Sequence, residues 1–166
     1  MLSDQPEAEE GEGSLPSRVE DVMVREVITV DENATVKEAV DVMNEFHIGS
    51  LIVLERGRAR GIVTERDFLE RVIAEAKDVM TTEVKDIMTT PLVVVEPSMD
   101  LEEAVKLMFQ SKIKKLAVVD ANKLVGIVTL TDIARFQPQM MRMLKQLTTK
   151  QAAPKSIQKV IDYYVV

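Results

Sequence analysis

The chain has no cysteine, no tryptophan and a single histidine. Without cysteine there is no disulfide framework, no thiolate zinc site and no cysteine nucleophile. One histidine excludes a multi-histidine metal site and leaves Ser-His-Asp chemistry a single candidate. Aromatic residues make up 4% of the 166 residues, too few for a stacking platform for single-stranded nucleic acid. No apolar run approaches the roughly 18 residues that span a bilayer. The first residues are acidic rather than basic and then apolar, unlike a signal peptide. The expectation is a soluble cytoplasmic protein with no membrane partner. What is present suffices for a core: 46% of residues are apolar and 30% charged, a balance outside the range of mainly disordered chains.

The net charge of −7 is unevenly spread. Residues 1–21 carry −6, residues 22–134 another −6, and residues 135–166 carry +5. An acidic body repels phosphate backbones at long range. The basic C-terminal stretch could attract an anion or an acidic partner, although such runs are ordinarily solvated surface. Residues 1–17, rich in Glu, Gly, Ser and Pro, are expected to be a disordered acidic tail.

Gly61-Ile-Val-Thr-Glu-Arg-Asp67 recurs as Gly126-Ile-Val-Thr-Leu-Thr-Asp132, 65 residues later. The same offset relates Met23 to Met88, Ala39 to Ala104, Met43 to Met108, Ile48 to Ile113 and Leu51 to Leu116. Aligned without a gap, residues 21–69 and 86–134 share 15 identities in 49 positions. Units this small cannot each bury a full core, so the two are expected to pack together.

Each unit reads β-α-β-β-α. Residues 27–30 and 92–95 are short β-branched runs that suit buried strands. Thr35-x-x-Glu38 and Asp100-x-x-Glu103 fit the capping box that opens a helix. The helices would bury Val36, Ala39, Val40 and Met43 in one unit, and Leu101, Ala104, Val105 and Met108 in the other. Residues 51–54 and 116–119 read as strands that turn at Gly57 and Asn122 into partners at Ile62-Val63 and Ile127-Val128. The last helix of the first unit begins near Thr64 and runs through Phe68, Val72 and Ile73; that of the second begins near Thr129. The division is an acidic tail at 1–17, repeats at 18–80 and 81–136, and a basic, Met-rich helical extension at 137–166. Its methionines suit packing on its own domain or on a partner.

A tandem β-α-β-β-α repeat closing each time on Gly-Ile-Val-Thr-x-x-Asp, and opening on Asp21-Val-Met23 and Asp86-Ile-Met88, resembles a pair of cystathionine-β-synthase (CBS) domains. The likeness spans about residues 18–136. It implies an α/β (α+β) fold of two pseudo-symmetric repeats packed as a disc-like module. It also implies two clefts that take adenosine compounds such as AMP, ADP, ATP or S-adenosylmethionine, and a homodimer through exposed helices.

Aspartate suits a ribose, because one carboxylate can accept from both vicinal hydroxyls. Asp67 and Asp132 are the candidates, with hydroxyls from Thr64, Thr129 and Thr131. The helix N-terminus that each motif opens offers free amides to phosphate. Gly61 and Gly126 would permit close backbone approach. Read alone, each Thr-x-x-Asp is also a simple helix cap. The resemblance implies one cleft joining Asp132, Thr129, Thr131 and Ile127 to Ile28, Ile48 and Gly49. There the apolar residues would sandwich adenine, and Lys114 and Lys115 would serve the phosphate. It implies a second cleft of Asp67, Thr64 and Arg66 with Val93, Ile113 and Lys114. Gly49-Ser50 stands where the second repeat has the lysines, so the clefts should differ; the Asp132 cleft ranks first. His47, beside Ile48, reads as structural or solvent-facing rather than as a ligand. Glu65 and the acids of residues 7–12 have no metal-site spacing.

The leading expectation is therefore a regulatory adenosine-nucleotide-binding module without catalysis, acting through a ligand-dependent change of conformation or of a partner protein. The alternatives are nucleic-acid binding through the basic C-terminal stretch and a ligand-free structural dimerisation module.

Overall fold

Thr35 starts a helix by closing its capping box. Its hydroxyl accepts from the Glu38 amide at 3.2 Å while its own amide donates to Glu38 Oε2 at 2.7 Å, satisfying two otherwise orphaned donors. The counterpart differs: Asp100 accepts from the Glu102 amide at 2.7 Å, and Glu103 closes no box. The computed structural model describes residues 16–138. The expectations for residues 1–15 of the acidic tail and 139–166 of the C-terminal extension lie outside the described residues.

The order of elements is α1 (Val19–Val22), β1 (Thr29–Asp31), α2 (Val36–Phe46), β2 (Ser50–Glu55), β3 (Arg58–Thr64), α3 (Glu65–Phe68), β4 (Val94–Val95), α4 (Leu101–Gln110), β5 (Lys115–Asp120), β6 (Lys123–Thr129) and α5 (Leu130–Phe136). A π-helical turn, Leu69–Ile73, extends α3, and a 3₁₀ turn, Val84–Asp86, precedes β4. The strands form two three-stranded sheets, β1-β2-β3 and β4-β5-β6. In each, the first pair is parallel and the second antiparallel. The fold is thus a mixed α/β (α+β) pair of repeats.

The 65-residue offset holds in the backbone. Thr29 pairs with Ile52 as Val94 pairs with Ala117, and the hairpins shift register at Val53/Leu54 and at Val118/Val119. Left-handed residues also recur in step: His47 and Lys112, Arg56 and Ala121, Gly57 and Asn122. The last two pairs form the hairpin turns, where two successive positive φ angles match the strand twist. The first strands are shorter than the β-branched runs suggest. Val27, Ile28, Leu92 and Val93 precede β1 and β4 and line cavities. Helix burial follows the 3.6-residue pattern, with Val36, Ala39 and Met43 inside α2 and Leu101, Ala104, Val105 and Met108 inside α4; Val40 is half-buried. In the π-helical turn Val72 is buried and Ile73 exposed.

The repeats trade their opening segments. Val19, Val22 and Met23 complete the core built by α4, β5, β6 and α5, while Val84 and Ile87 complete the core of α2, β2 and β3. Backbone bonds fix both exchanges in step. The Val19 amide donates to the Met99 carbonyl at 2.9 Å, as Val84 does to Ala34 at 2.8 Å; Leu101 donates to Ser17 as Val36 does to Thr82, at 2.8 and 2.9 Å. Farther along, Val24 and Ile127 exchange two bonds of 2.9 Å, and Ile62 and Thr89 exchange bonds of 3.0 and 2.8 Å. Gly61 and Gly126 lie directly under these crossings. Their open backbone admits the opposite repeat's Met88-Thr89 and Met23-Val24, so the close approach they permit is already filled by protein.

Candidate functional site

The crossings leave two cavities, one for each Thr-x-x-Asp motif. The larger, about 560 Å³, is bounded by Thr64, Arg66 and Asp67 on one repeat and by Leu92, Val93, Ile113 and Lys114 on the other. The smaller, about 310 Å³, is bounded by Ile127, Thr129, Thr131 and Asp132 on one side and by Ile28, Ile48 and Gly49 on the other. The geometry thus brings each set of sequence-derived candidates together, with one reassignment. Lys114 lines the Asp67 cavity and not the Asp132 cavity; Lys115 lines both. His47 lines neither and sits exposed at the left-handed end of α2.

Both motifs are genuine caps. The Thr64 amide and hydroxyl donate to Asp67 Oδ2 at 2.8 and 2.9 Å. The Thr129 amide and hydroxyl donate to Asp132 Oδ2 at 3.1 and 2.6 Å. The Asp67 and Asp132 amides donate back to the threonine hydroxyls, and those of Glu65 and Leu130 donate to the carbonyls of Gly49 and Lys114. The helices have four and seven residues. With the amides of Thr64, Glu65 and Asp67, and of Thr129, Leu130 and Asp132, already bonded, most of the expected helix-end attraction for phosphate is satisfied within the protein, and side-chain cations are the main source of anion affinity.

The two aspartates differ in their second oxygen. Asp67 is buried, and its Oδ1 lies 3.4 Å from both the Thr89 hydroxyl and the Arg71 guanidinium. Arg71 also donates to the Ile87 and Met88 carbonyls at 2.6 and 3.0 Å. At the offset of 65, Thr89 and Arg71 correspond to Val24 and Phe136, which bring neither a donor nor a charge. Among the described residues Asp132 Oδ1 has no hydrogen-bond donor, and the side chain is half-buried. Arg71 and Thr89 are absent from the sequence-derived site. Arg71 stands four residues after Asp67 on the extended α3, an i,i+4 helical spacing that could have found it. Thr89 reaches Asp67 only because repeat 2's opening segment crosses onto repeat 1, and no local spacing signals that crossing.

Lys115 sits between the cavities. Its Nζ donates to Ser50 Oγ at 2.9 Å, and the two positions are one offset apart, so they meet at the pseudo-twofold axis relating the repeats. Burial pushes its ammonium below the ordinary lysine value of 10.5, against the opposing pull of Glu65 and Asp132. A base with a lowered folded pKa holds fewer protons than in the unfolded chain between the two values, so stability rises with pH across that window. Lys115→Met is expected to abolish this alkaline gain. Urea unfolding at a series of pH values between the lowered value and 10.5 checks it, and an unchanged pH slope in the variant refutes it.

The CBS-domain family model matches residues 19–74 and 84–138. The chain belongs to the CBS-domain proteins. It is 42% identical over 118 residues to the CBS domain-containing protein YhcV of Bacillus subtilis, covering 71% of this chain and 84% of that protein. It is 36% identical over 122 residues to the inosine-5'-monophosphate dehydrogenase of Methanocaldococcus jannaschii, covering 71% of this chain but 23% of the enzyme. Among solved structures, the hexameric CBS-CP12 protein from bloom-forming cyanobacteria superposes with a TM-score of 0.68 at 34% identity, covering 74% of this chain and 73% of that one. The two matched segments of this CBS protein each contain a Thr-x-x-Asp cap that bounds a cavity. Among the described residues no helix is long and apolar enough to cross a membrane, and no three His, Asp or Glu side chains group as metal ligands.

Proposed function

We propose that this CBS pair is a cytoplasmic regulatory module that binds adenosine nucleotides in its inter-repeat clefts and passes occupancy on as a change in conformation or partner. The observation that carries the reading is the paired cavity. Each combines an apolar wall, a carboxylate and threonines, and each draws its walls from both repeats. A ligand bridging two repeats favours one arrangement of them, and only by its difference in affinity for the alternatives. The Asp67 cleft is the better phosphate site, because Arg66, Lys112, Lys114 and Lys115 line it and its volume is the larger. This reverses the ranking that the sequence suggested. No catalytic step is part of the reading.

Calorimetry on the full chain with AMP, ADP, ATP and S-adenosylmethionine tests it. Binding on the order of micromolar by at least one compound is expected. Asp67→Ala and Asp132→Ala should each weaken binding at one cleft, with circular dichroism verifying that each variant is folded. No heat with any of the four compounds refutes the reading, as does full affinity in a folded double variant.

Self-association belongs to the same proposal. Leu69 and Ile73, on the extended α3, and Phe136, on α5, are 59%, 67% and 50% exposed. The cyanobacterial CBS-CP12 neighbour is described as hexameric, and covering such apolar side chains is what oligomer interfaces do.

A further inference from the structure

We propose that the two clefts sort ligands by charge. The Asp67 cleft takes a phosphate-bearing nucleotide, and the Asp132 cleft takes an adenosine compound without a phosphate, uncharged or cationic. The inference rests on the nucleotide-binding reading above and assigns a ligand class to each cleft.

The linings differ in sign. Around the Asp67 cleft stand four bases, Arg66, Lys112, Lys114 and Lys115, against three acids, Glu65, Asp67 and Glu70. Arg66 and Glu70 pair with each other at 2.6 Å and Asp67 is engaged by Arg71 at 3.4 Å, which leaves Lys112, Lys114 and Lys115 against Glu65. Lys112 and Lys114 have no ion-pair partner among the described residues. A nucleotide phosphate, close to doubly charged at neutral pH, therefore meets free ammonium groups there.

The Asp132 cleft has two acids, Glu26 and Asp132, and one base, Lys115. Among the described residues Asp132 has no arginine paired with it, and Phe136 occupies the position equivalent to Arg71. Asp132 Oδ1, without a donor among the described residues, is left for a ribose hydroxyl. Opposite the lysine pair stands Gly49-Ser50, so among the described residues the one cation lining this side is the shared Lys115. A phosphate in the Asp67 cleft draws Lys115 toward itself and leaves the Asp132 cleft with its two carboxylates. Like charges within a partly desolvated cleft repel more strongly than they do in water. The same carboxylates attract a sulfonium or amino group.

Equilibrium dialysis of the full chain with labelled adenosine and labelled AMP reads the assignment. Adenosine is expected to saturate at two per chain and AMP at one. With AMP saturating, one adenosine should still bind. Glu26→Lys, an exposed substitution, should bring AMP to two per chain. Lys114→Glu, also exposed, should weaken AMP about tenfold more than it weakens adenosine, the ratio expected when one charge contact of about 1.4 kcal/mol is lost. Two AMP per chain in the unaltered protein overturns the division of clefts while leaving nucleotide binding intact, and so does competition between AMP and adenosine for a single site. Failure of both compounds to bind overturns the division together with the reading it rests on.

Discussion

Ile87→Ala is expected to cost about 2–5 kcal/mol, the range for truncating a fully buried branched side chain. Ile87 is completely buried, yet by sequence it belongs to repeat 2 and its side chain lies in the core of repeat 1. The surrounding chain can hardly relax into the cavity. Arg71 holds the Ile87 and Met88 carbonyls, and the Val84, Lys85 and Thr89 amides are bonded to Ala34, Glu32 and Ile62. A domain of this size is stable by roughly 5–15 kcal/mol, so the loss is a large fraction of the whole. Urea unfolding monitored by circular dichroism measures it, with Met80→Ala as a control at a 62% exposed position, where about 0.5 kcal/mol or less is expected. Because each core contains residues of the other repeat, the variant should unfold in one transition at lower urea. A loss under 1 kcal/mol, or two separate transitions, would show that the repeats do not depend on the exchanged segments.

Gly126→Ala should be nearly as damaging, by overpacking. A β-carbon there would lie 2.6 Å from Met23 Sδ and 3.1 Å from the Val24 carbonyl oxygen. The methionine can rotate away, but the Val24 carbonyl is held by the Ile127 amide at 2.9 Å and gives way only with the crossing itself. Added methyl groups in packed sites cost about 1–3 kcal/mol. Gly61→Ala meets the Thr89 carbonyl at 2.7 Å and should fall in the same range. Thermal melts measure both, and Gly57→Ala separates packing from conformation: nothing lies within 4 Å of its β-carbon, while its φ of 78° strains any other residue. If Gly126→Ala melts with the unaltered protein, the crossing is not tightly packed.

The repeat, its element order and the helix faces were legible because they depend on short-range pattern. Alternation, 3.6-residue spacing and the Thr35 box are all written within a dozen residues. The partner of each opening segment was not legible. Asp21-Val-Met23 and Asp86-Ile-Met88 look the same whether they pack on their own repeat or on the other, and only the three-dimensional crossing decides. That ambiguity carried into the candidate site. Thr64 and Asp67, and likewise Thr129 and Asp132, were identified from their spacing and do bound cavities. The state of each aspartate was half legible: Arg71 stands at i+4 from Asp67, where the second repeat has Phe136, whereas Thr89 acts on Asp67 across the crossing and its equivalent is Val24. The strand starts were misjudged because Val27, Ile28, Leu92 and Val93 line cavities without pairing in a sheet, Ile28 and Val93 also packing against the two cores.

The contact between Ser50 and Lys115 bears on how two copies of one unit become a single protein. On a twofold axis a position touches its own copy. Two identical repeats would therefore bring serine against serine or lysine against lysine at this point. Two ammonium groups at hydrogen-bonding range, with part of their water removed, oppose association; two hydroxyls do not. A lysine at the centre is therefore available only to a fused, diverged pair, in which one half contributes the cation and the other the hydroxyl that accepts its hydrogen bond. The axis is where duplication permits a chemistry denied to any symmetric dimer of the same unit.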